Sequence, residues 1–235
     1  TELLECLDAA IATIEQTQCA GSAVLHYLVG KRGNAYRNQG QAEKAIDQYR
    51  KALTLAPNAG RKVILLGVLA SELAKQGKKT EADQYFTEGY QLAEAAGELG
   101  ALMRLIEEHS WAAAVNKEFA VVHSLAARGI ELSKQLGDHT RQGVFLINLG
   151  TAELELGARR ALQLHQEAHQ IGESNDDEPL EADALYAIGI DYHAMEDQVA
   201  AQGHLQRAHK LFVETGHTEM ATEVKGFMMQ FGYVI

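Results

Sequence analysis

The chain has 235 residues, 46% of them hydrophobic but only 6% aromatic, with 2 prolines and 21 basic against 32 acidic side chains. That length supports a sizeable core, and this balance of apolar and charged residues excludes a disordered chain. The net charge of -11 excludes a broad nucleic-acid footprint, because phosphates are repelled.

Few prolines and much Ala, Leu, Glu and Gln point to an all-helical chain. Two cysteines, Cys6 and Cys19, make no disulfide framework, and both are expected to be small buried hydrophobes. No Asn-x-Ser/Thr acceptor and no signal-peptide pattern occurs, and the longest apolar run, Val63 to Ala70, is too short to span a bilayer. A cytoplasmic location without membrane contact is the expectation. The chain starts at Thr1 rather than Met, as an excised or processed fragment would. Residues 1–100 hold 11 basic and 12 acidic side chains, whereas residues 101–235 hold 10 and 20. The C-terminal half therefore presents a solvated acidic face, or favours a basic partner.

In chain order, Thr1 to about Gln16 reads as an amphipathic helix with Leu3, Leu4, Leu7, Ile11 and Ile14 on one face. Next comes Gly33-Asn-Ala-Tyr36, then Gly40, Ala45, Tyr49, Ala52-Leu53, Leu55 and Pro57. Gly33 and Ala45 suit the close approach of two helices, with Tyr36, Tyr49 and Leu53 filling the gaps beside them. Gly40 permits a turn and Pro57 stops the second helix.

The pattern recurs four times with drift. The second unit has Leu66, Leu69-Ala70, Leu73, Gly77, Ala82, Phe86, Gly89 and Leu92. The third, weakest, has Ile106, Ser110, Val122, Ala126, Gly129 and Leu132. The fourth has Leu146, Leu149-Gly150, Gly157, Ala161, His165, Ala168 and Ile171. The fifth has Leu185, Ile188-Gly189, Tyr192, Ala201, Leu205, Ala208 and Leu211. Unit ends are expected at Gly97, Gly137, Gly172 and Gly216, and Glu173 to Pro179 as an inter-repeat loop. Thr218 to about Phe231 reads as a last helix, with Phe227, Met228, Met229 and Phe231 as cap packing.

These residues resemble the tetratricopeptide repeat (TPR) closely, and the 40 residues from Gly97 to Gly137 are similar to its extended subfamily. Val29 and Arg32 depart from the family pattern at an aromatic and a Leu position. The resemblance implies a right-handed superhelical α-solenoid in one domain. About five helix-turn-helix repeats (22–216) lie between an N-terminal capping helix (1–20) and a C-terminal one (217–235).

Chemical motifs are scarce. Gly77-Lys78-Lys79-Thr80 fails as a phosphate loop because Glu72 stands where a Gly is needed and Thr80 comes one residue late. His165 and His169 lie four apart, but Gln166 breaks the His-Glu-x-x-His pattern and His165 occupies a packing position. Glu107 and Glu108 are adjacent and point apart on a helix, so they make no carboxylate dyad. No enzyme activity, metal or cofactor is expected.

The resemblance also implies a concave groove lined by the first helix of each repeat. Carried over residue by residue, the groove positions are Tyr27, Lys31, Asn34 and Arg37, then Ser71 and Lys75. After these come Arg104, Glu107, Glu108 and Trp111, then Asn148, Thr151 and Glu155, and last Asp183, Tyr186 and His193. Cations gather at the N-terminal end of the set and acids at the other. Asn34 matches one position of the clamp with which some chaperone-binding relatives hold a C-terminal carboxylate. Gly30 and Val68 stand where its Lys and a further Asn belong, so that clamp is not expected. The implied function is a non-catalytic protein-interaction scaffold that takes a peptide or helix of a partner protein. The alternative is a sensory or regulatory arm of a larger bacterial signalling protein or transcription regulator, and a third reading is a module that self-associates through its caps.

Overall fold

The computed structural model describes residues 2–16, 23–157 and 160–234, and within them all regular structure is α-helix. Residues 1–117 and 118–235 form two compact units. The first holds α1 (Glu2–Glu15), α2 (Ala23–Asn38), α3 (Ala42–Thr54), α4 (Ala59–Lys75), α5 (Lys79–Ala96) and α6 (Leu99–Val115). The second holds α7 (Phe119–Leu136), α8 (His139–Glu155), α9 (Ala161–Ser174), α10 (Glu178–Ala194), α11 (Gln198–Glu214) and α12 (Thr218–Gln230).

In both units each helix packs on the next, and first helices of successive hairpins touch as well, α4 on α6 and α8 on α10. This is the α-solenoid arrangement of helix-turn-helix repeats, with α1 packed on α2 and α12 packed on α11 at the ends.

The repeat residues make the core. Tyr49, Leu66, Leu69, Leu73, Ile106, Leu185 and Leu205 are fully enclosed. Each such side chain contributes about 1.5–3 kcal/mol by leaving water. Gly33 is needed because a Cβ there would stand 2.5 Å from the Tyr49 ring. Gly150 plays the same part opposite His165, whose Nε2 fills the place a Cβ would take. Arg32, which departs from the Leu of the repeat pattern, is accommodated by polar partners: it donates to Gln48 on α3 and to Asp8 on α1.

Four helix starts are capped by side chains. Asn58, Asp138, Asp177 and Asp197 each accept a backbone N–H from the first turn that follows. Left-handed residues close the turns: glycine at Gly40, Gly77, Gly97, Gly137, Gly157 and Gly216, but Lys117, Asp176 and Glu196 at three others.

Three expectations are corrected. Cys6 is exposed, not buried, because its helix turns Leu7 and Ile11 inward and leaves position 6 on the wet side. Cys19 and the end of the expected capping segment, to residue 20, lie outside the described residues. The break expected at Gly172 falls later. Gly172 is helical and packs on the Glu181 backbone, α9 runs to Ser174, and Asp176 supplies the left-handed turn. The loop is therefore three residues, 175–177, with Glu178 and Pro179 already in α10.

Candidate functional site

The first unit brings most of its groove positions into two adjoining groups on α2, α4 and α6. One group is saturated. Arg37 on α2 donates to Glu72 on α4 at 2.9 Å and, through both terminal nitrogens, to Glu108 on α6 at 3.2 and 3.3 Å. Lys75 lies 3.5 Å from the same Glu72. The Trp111 ring sits beneath both cations, 4.3 Å from Lys75 Nζ and 5.2 Å from Arg37 Cζ. Trp111 is 37% exposed, so it is a surface platform rather than core filling. Burial works against the Arg37 charge, but Glu108 and Glu72 outweigh it and raise its pKa.

Glu72 is the residue that sequence reasoning missed. Its side chain is 2% exposed, and it pairs with two of the four cations assigned to this end of the groove, sharing Arg37 with Glu108. Ser71, a groove position by resemblance, is fully buried instead, within a run of buried residues from Leu69 to Ala74.

The second group is open. Tyr27, Lys31 and Asn34 on α2, Arg61, Ile64, Leu65 and Val68 on α4, and Arg104 on α6 line a cavity of about 340 Å3, with His26, Gly30 and Tyr49 behind them. Arg61 and His26 were not foreseen. Arg61 sits in the first turn of α4, a turn before the family's groove offsets begin. The His26 ring is held by the Ala52 carbonyl at 3.0 Å. The Tyr49 hydroxyl donates to Asn34 Oδ1 at 2.8 Å. Burial pushes the Tyr49 hydroxyl well above the ordinary tyrosine range, so it remains a donor. Glu107 lies half-buried on α6 and lines neither group.

In the second unit two of the predicted positions, Tyr186 and His193, serve contacts with the last helix and the residues after it. The Tyr186 hydroxyl reaches Glu223 on α12 at 3.3 Å. The His193 ring packs on Phe227 and Phe231 and meets the Tyr233 hydroxyl at 2.8 Å. Asp183 is half-buried; burial pushes its carboxyl up to about 6, against the pull of His217 and with the help of Asp177 and Glu223. Asn148 is half-buried on α8, while Thr151 and Glu155 are exposed there. A larger, shallower depression of about 600 Å3 lies at the turns holding Asp138 and Asp177. Both carboxylates there are engaged as helix caps.

The two histidines of the metal test part company. His165 is buried, its Nδ1 2.6 Å from Asp191 and its Nε2 3.2 Å from the Ile147 carbonyl. His169 lies between Glu173 and Glu181, at 3.5 and 3.6 Å, and Arg207 already pairs with Glu181 at 3.3 Å. Among the described residues no helix is long and apolar enough to cross a membrane.

Comparison with known proteins agrees with this architecture. Residues 30–59 match the tetratricopeptide repeat family model. No curated protein matches the chain. Among solved structures, the Signal Transduction ATPase with Numerous Domains (STAND) protein with a tetratricopeptide repeat sensor from Pyrococcus horikoshii is similar, at TM-score 0.74 and 17% identity. The match covers 86% of this chain and 32% of that one, so the chain spans about a third of that protein. BtubC from P. vanneervenii aligns at TM-score 0.71 and 16% identity, over 92% of this chain and 90% of its own. A Rap protein complexed with Competence and Sporulation Factor aligns at 0.70 and 15%, over 95% and 68%. With the stacked hairpins and the matched repeat, these likenesses show a tetratricopeptide-repeat-type fold.

Proposed function

We propose that the chain is a non-catalytic protein-interaction module that binds a peptide or helical segment of a partner protein. The binding face is the first-helix face of the unit formed by residues 1–117. The observation that carries this reading is the open cavity in which Tyr27, Lys31, Asn34 and Arg104 meet over the apolar side chains of α4. Such a cavity offers an aromatic wall, hydrogen-bond donors and an apolar floor, as peptide recognition needs. Nothing in it pairs a nucleophile with a base, and its charged groups are cations rather than the acid–base pairs of hydrolytic sites. The residues in contact at Arg37, Lys75, Glu108 and Trp111 act as a rigid edge to that face.

The test is affinity capture from lysate with the wild-type chain beside a Tyr27→Ala, Arg104→Ala variant whose helicity is checked by circular dichroism. A partner held by the wild type and released by the variant supports the reading. A partner held equally by both moves the interaction elsewhere on the chain and refutes it.

The likeness to a tetratricopeptide repeat sensor in the STAND protein favours a second reading, in which these repeats are the ligand-sensing arm of a longer signalling chain. A thermal-shift screen with small ligands tests it: saturable stabilisation by a small ligand supports the sensor, and no shift across the screen counts against it.

A further inference from the structure

The cavity on α2, α4 and α6 is built of donors. Several cations of the same unit are matched to acids: Arg32 with Asp8, Arg37 with Glu72 and Glu108, Arg50 with Glu81, Lys51 with Glu15, Lys78 with Glu43. Lys31, Arg61 and Arg104 are not. They line one cavity that holds no carboxylate, and among the described residues none of the three forms an ion pair. Lys31 rests on the Tyr27 ring at 5.4 Å. Glu98 lines a neighbouring dent with Arg61, but its carboxylate is turned onto Gly60.

Asn34 adds a fourth donor, and the packing fixes its orientation. The acids Glu72 and Glu108 hold Arg37 on the same helix, and the Tyr49 hydroxyl donates to Asn34 Oδ1. With its oxygen turned to the Tyr49 hydroxyl, the Asn34 amide has its NH2 group left to donate. Three cations and one amide donor thus surround an apolar floor of Ile64, Leu65 and Val68 in a chain whose net charge is -11. A group that complements this set accepts hydrogen bonds and carries negative charge.

We infer that this cavity is an anion subsite which reads an acidic side chain, carboxylate or phosphate, next to an apolar residue in the partner segment. The inference rests on the proposed partner-binding face and names the chemistry that the face selects. The apolar neighbour lies on α4 while the acid is held between Arg61 and Arg104, so a segment enters in one register.

The test uses fluorescence anisotropy with mixtures of N-acetylated, C-amidated octapeptides, which carry no terminal charge. Each mixture fixes one central position as Glu, phosphoserine, Gln, Lys or Leu and randomises the others. On the wild type, the Glu or phosphoserine mixture binds at least tenfold more tightly than the Gln mixture, and the preference shrinks several-fold from 50 to 300 mM salt. The relative strength of those two mixtures separates carboxylate from phosphate as the natural group. An Arg61→Gln, Arg104→Gln variant lowers the preference below about threefold, while a Lys62→Gln, Lys117→Gln control with the same charge change keeps it. Arg61 and Arg104 are exposed and unpaired, so their replacement leaves the fold intact, which circular dichroism checks.

Equal binding of the Glu, phosphoserine and Gln mixtures to the wild type overturns the inference. So does an acidic preference that survives in the Arg61, Arg104 variant. If the Leu mixture binds without any acidic preference and is lost on Val68→Asp, the face is a partner site and only the anion inference fails. If no mixture binds, both readings fail.

Discussion

Replacing Arg37 with Met tests whether the charge cluster on the first unit is a structural element. The substitution keeps much of the aliphatic stem but strips Glu72 of its 2.9 Å partner. Removing one member of a fully buried ion pair costs about 3–5 kcal/mol, mostly as the stranded charge. Two features lower that figure here. The Glu108 side chain is 20% exposed and rehydrates, and Lys75 remains 3.5 Å from Glu72. Glu72, at 2% exposure, does not rehydrate. A net loss of about 2–3 kcal/mol follows, including roughly 0.5–1 kcal/mol for the Arg37–Trp111 contact. Urea unfolding followed by fluorescence reads it out. Trp111 is the only tryptophan and belongs to the cluster, so its signal reports the first unit. With a slope of about 2 kcal/mol/M, the midpoint falls by about 1–1.5 M. Glu72→Leu alone costs less, about 1 kcal/mol or below, because Arg37 keeps Glu108. The decisive comparison is the double variant. If the cost of Arg37→Met is the stranded carboxylate, adding Glu72→Leu restores stability. A loss below about 0.5 kcal/mol in Arg37→Met, or a double variant no more stable than that single one, refutes the reasoning.

Gly33→Ala places a methyl 2.5 Å from the Tyr49 ring and is expected to destabilise the first unit by about 2–3 kcal/mol in the same fluorescence assay. Asp183→Asn tests the raised carboxyl in the second unit. Its pKa of about 6 in the fold exceeds the ordinary 3.8, so the folded state holds the proton more tightly. Asp183 therefore contributes most at or below pH 3.8 and loses that contribution as pH rises to about 6. The variant should gain on the order of 1–2 kcal/mol at pH 7.5 and nothing at pH 4, by thermal melts read as the difference from wild type. Glu196→Gly relieves a left-handed turn residue at φ 63 and is expected to stabilise by about 0.5–1 kcal/mol, seen as a higher melting temperature. Finally, exposed Cys6 should react with a thiol reagent in the native Cys19→Ser chain nearly as fast as in urea.

Most of the fold was legible because the repeat writes one packing rule many times. A small residue on one helix faces a large one on the next, as Gly33 faces Tyr49 and Gly150 faces His165. Both halves of that rule lie within about 16 residues, close enough to be read as spacing. Turns were legible only where glycine marks them. Asp176 and Glu196 adopt the same left-handed geometry without the residue that advertises it, so the break after α9 was placed too early, at Gly172. Cys6 was misjudged because residue type was weighed above helical phase: Leu7 and Ile11 set the buried side of α1, and position 6 is not on it.

The site was less legible, since its character depends on pairings between residues far apart in sequence. Arg37 and Glu108 meet across 71 positions, and nothing local in either helix announces the contact. Offsets from the repeat found Lys31, Asn34 and Arg104 on the cavity but valued Arg37 and Lys75 equally with them, although Glu72 and Glu108 together balance both. The overall charge misleads in the same way. Screening confines electrostatic influence to about 8 Å at physiological salt, so the potential in the cavity is set by its lining and not by the total of -11. Many of the acids that make up that total are already committed. Asp138, Asp177 and Asp197 cap helices, and Glu72 and Glu108 hold Arg37. An acidic chain can therefore carry a cavity of donors, provided its acids are spent on the fold and the cations left over point the same way.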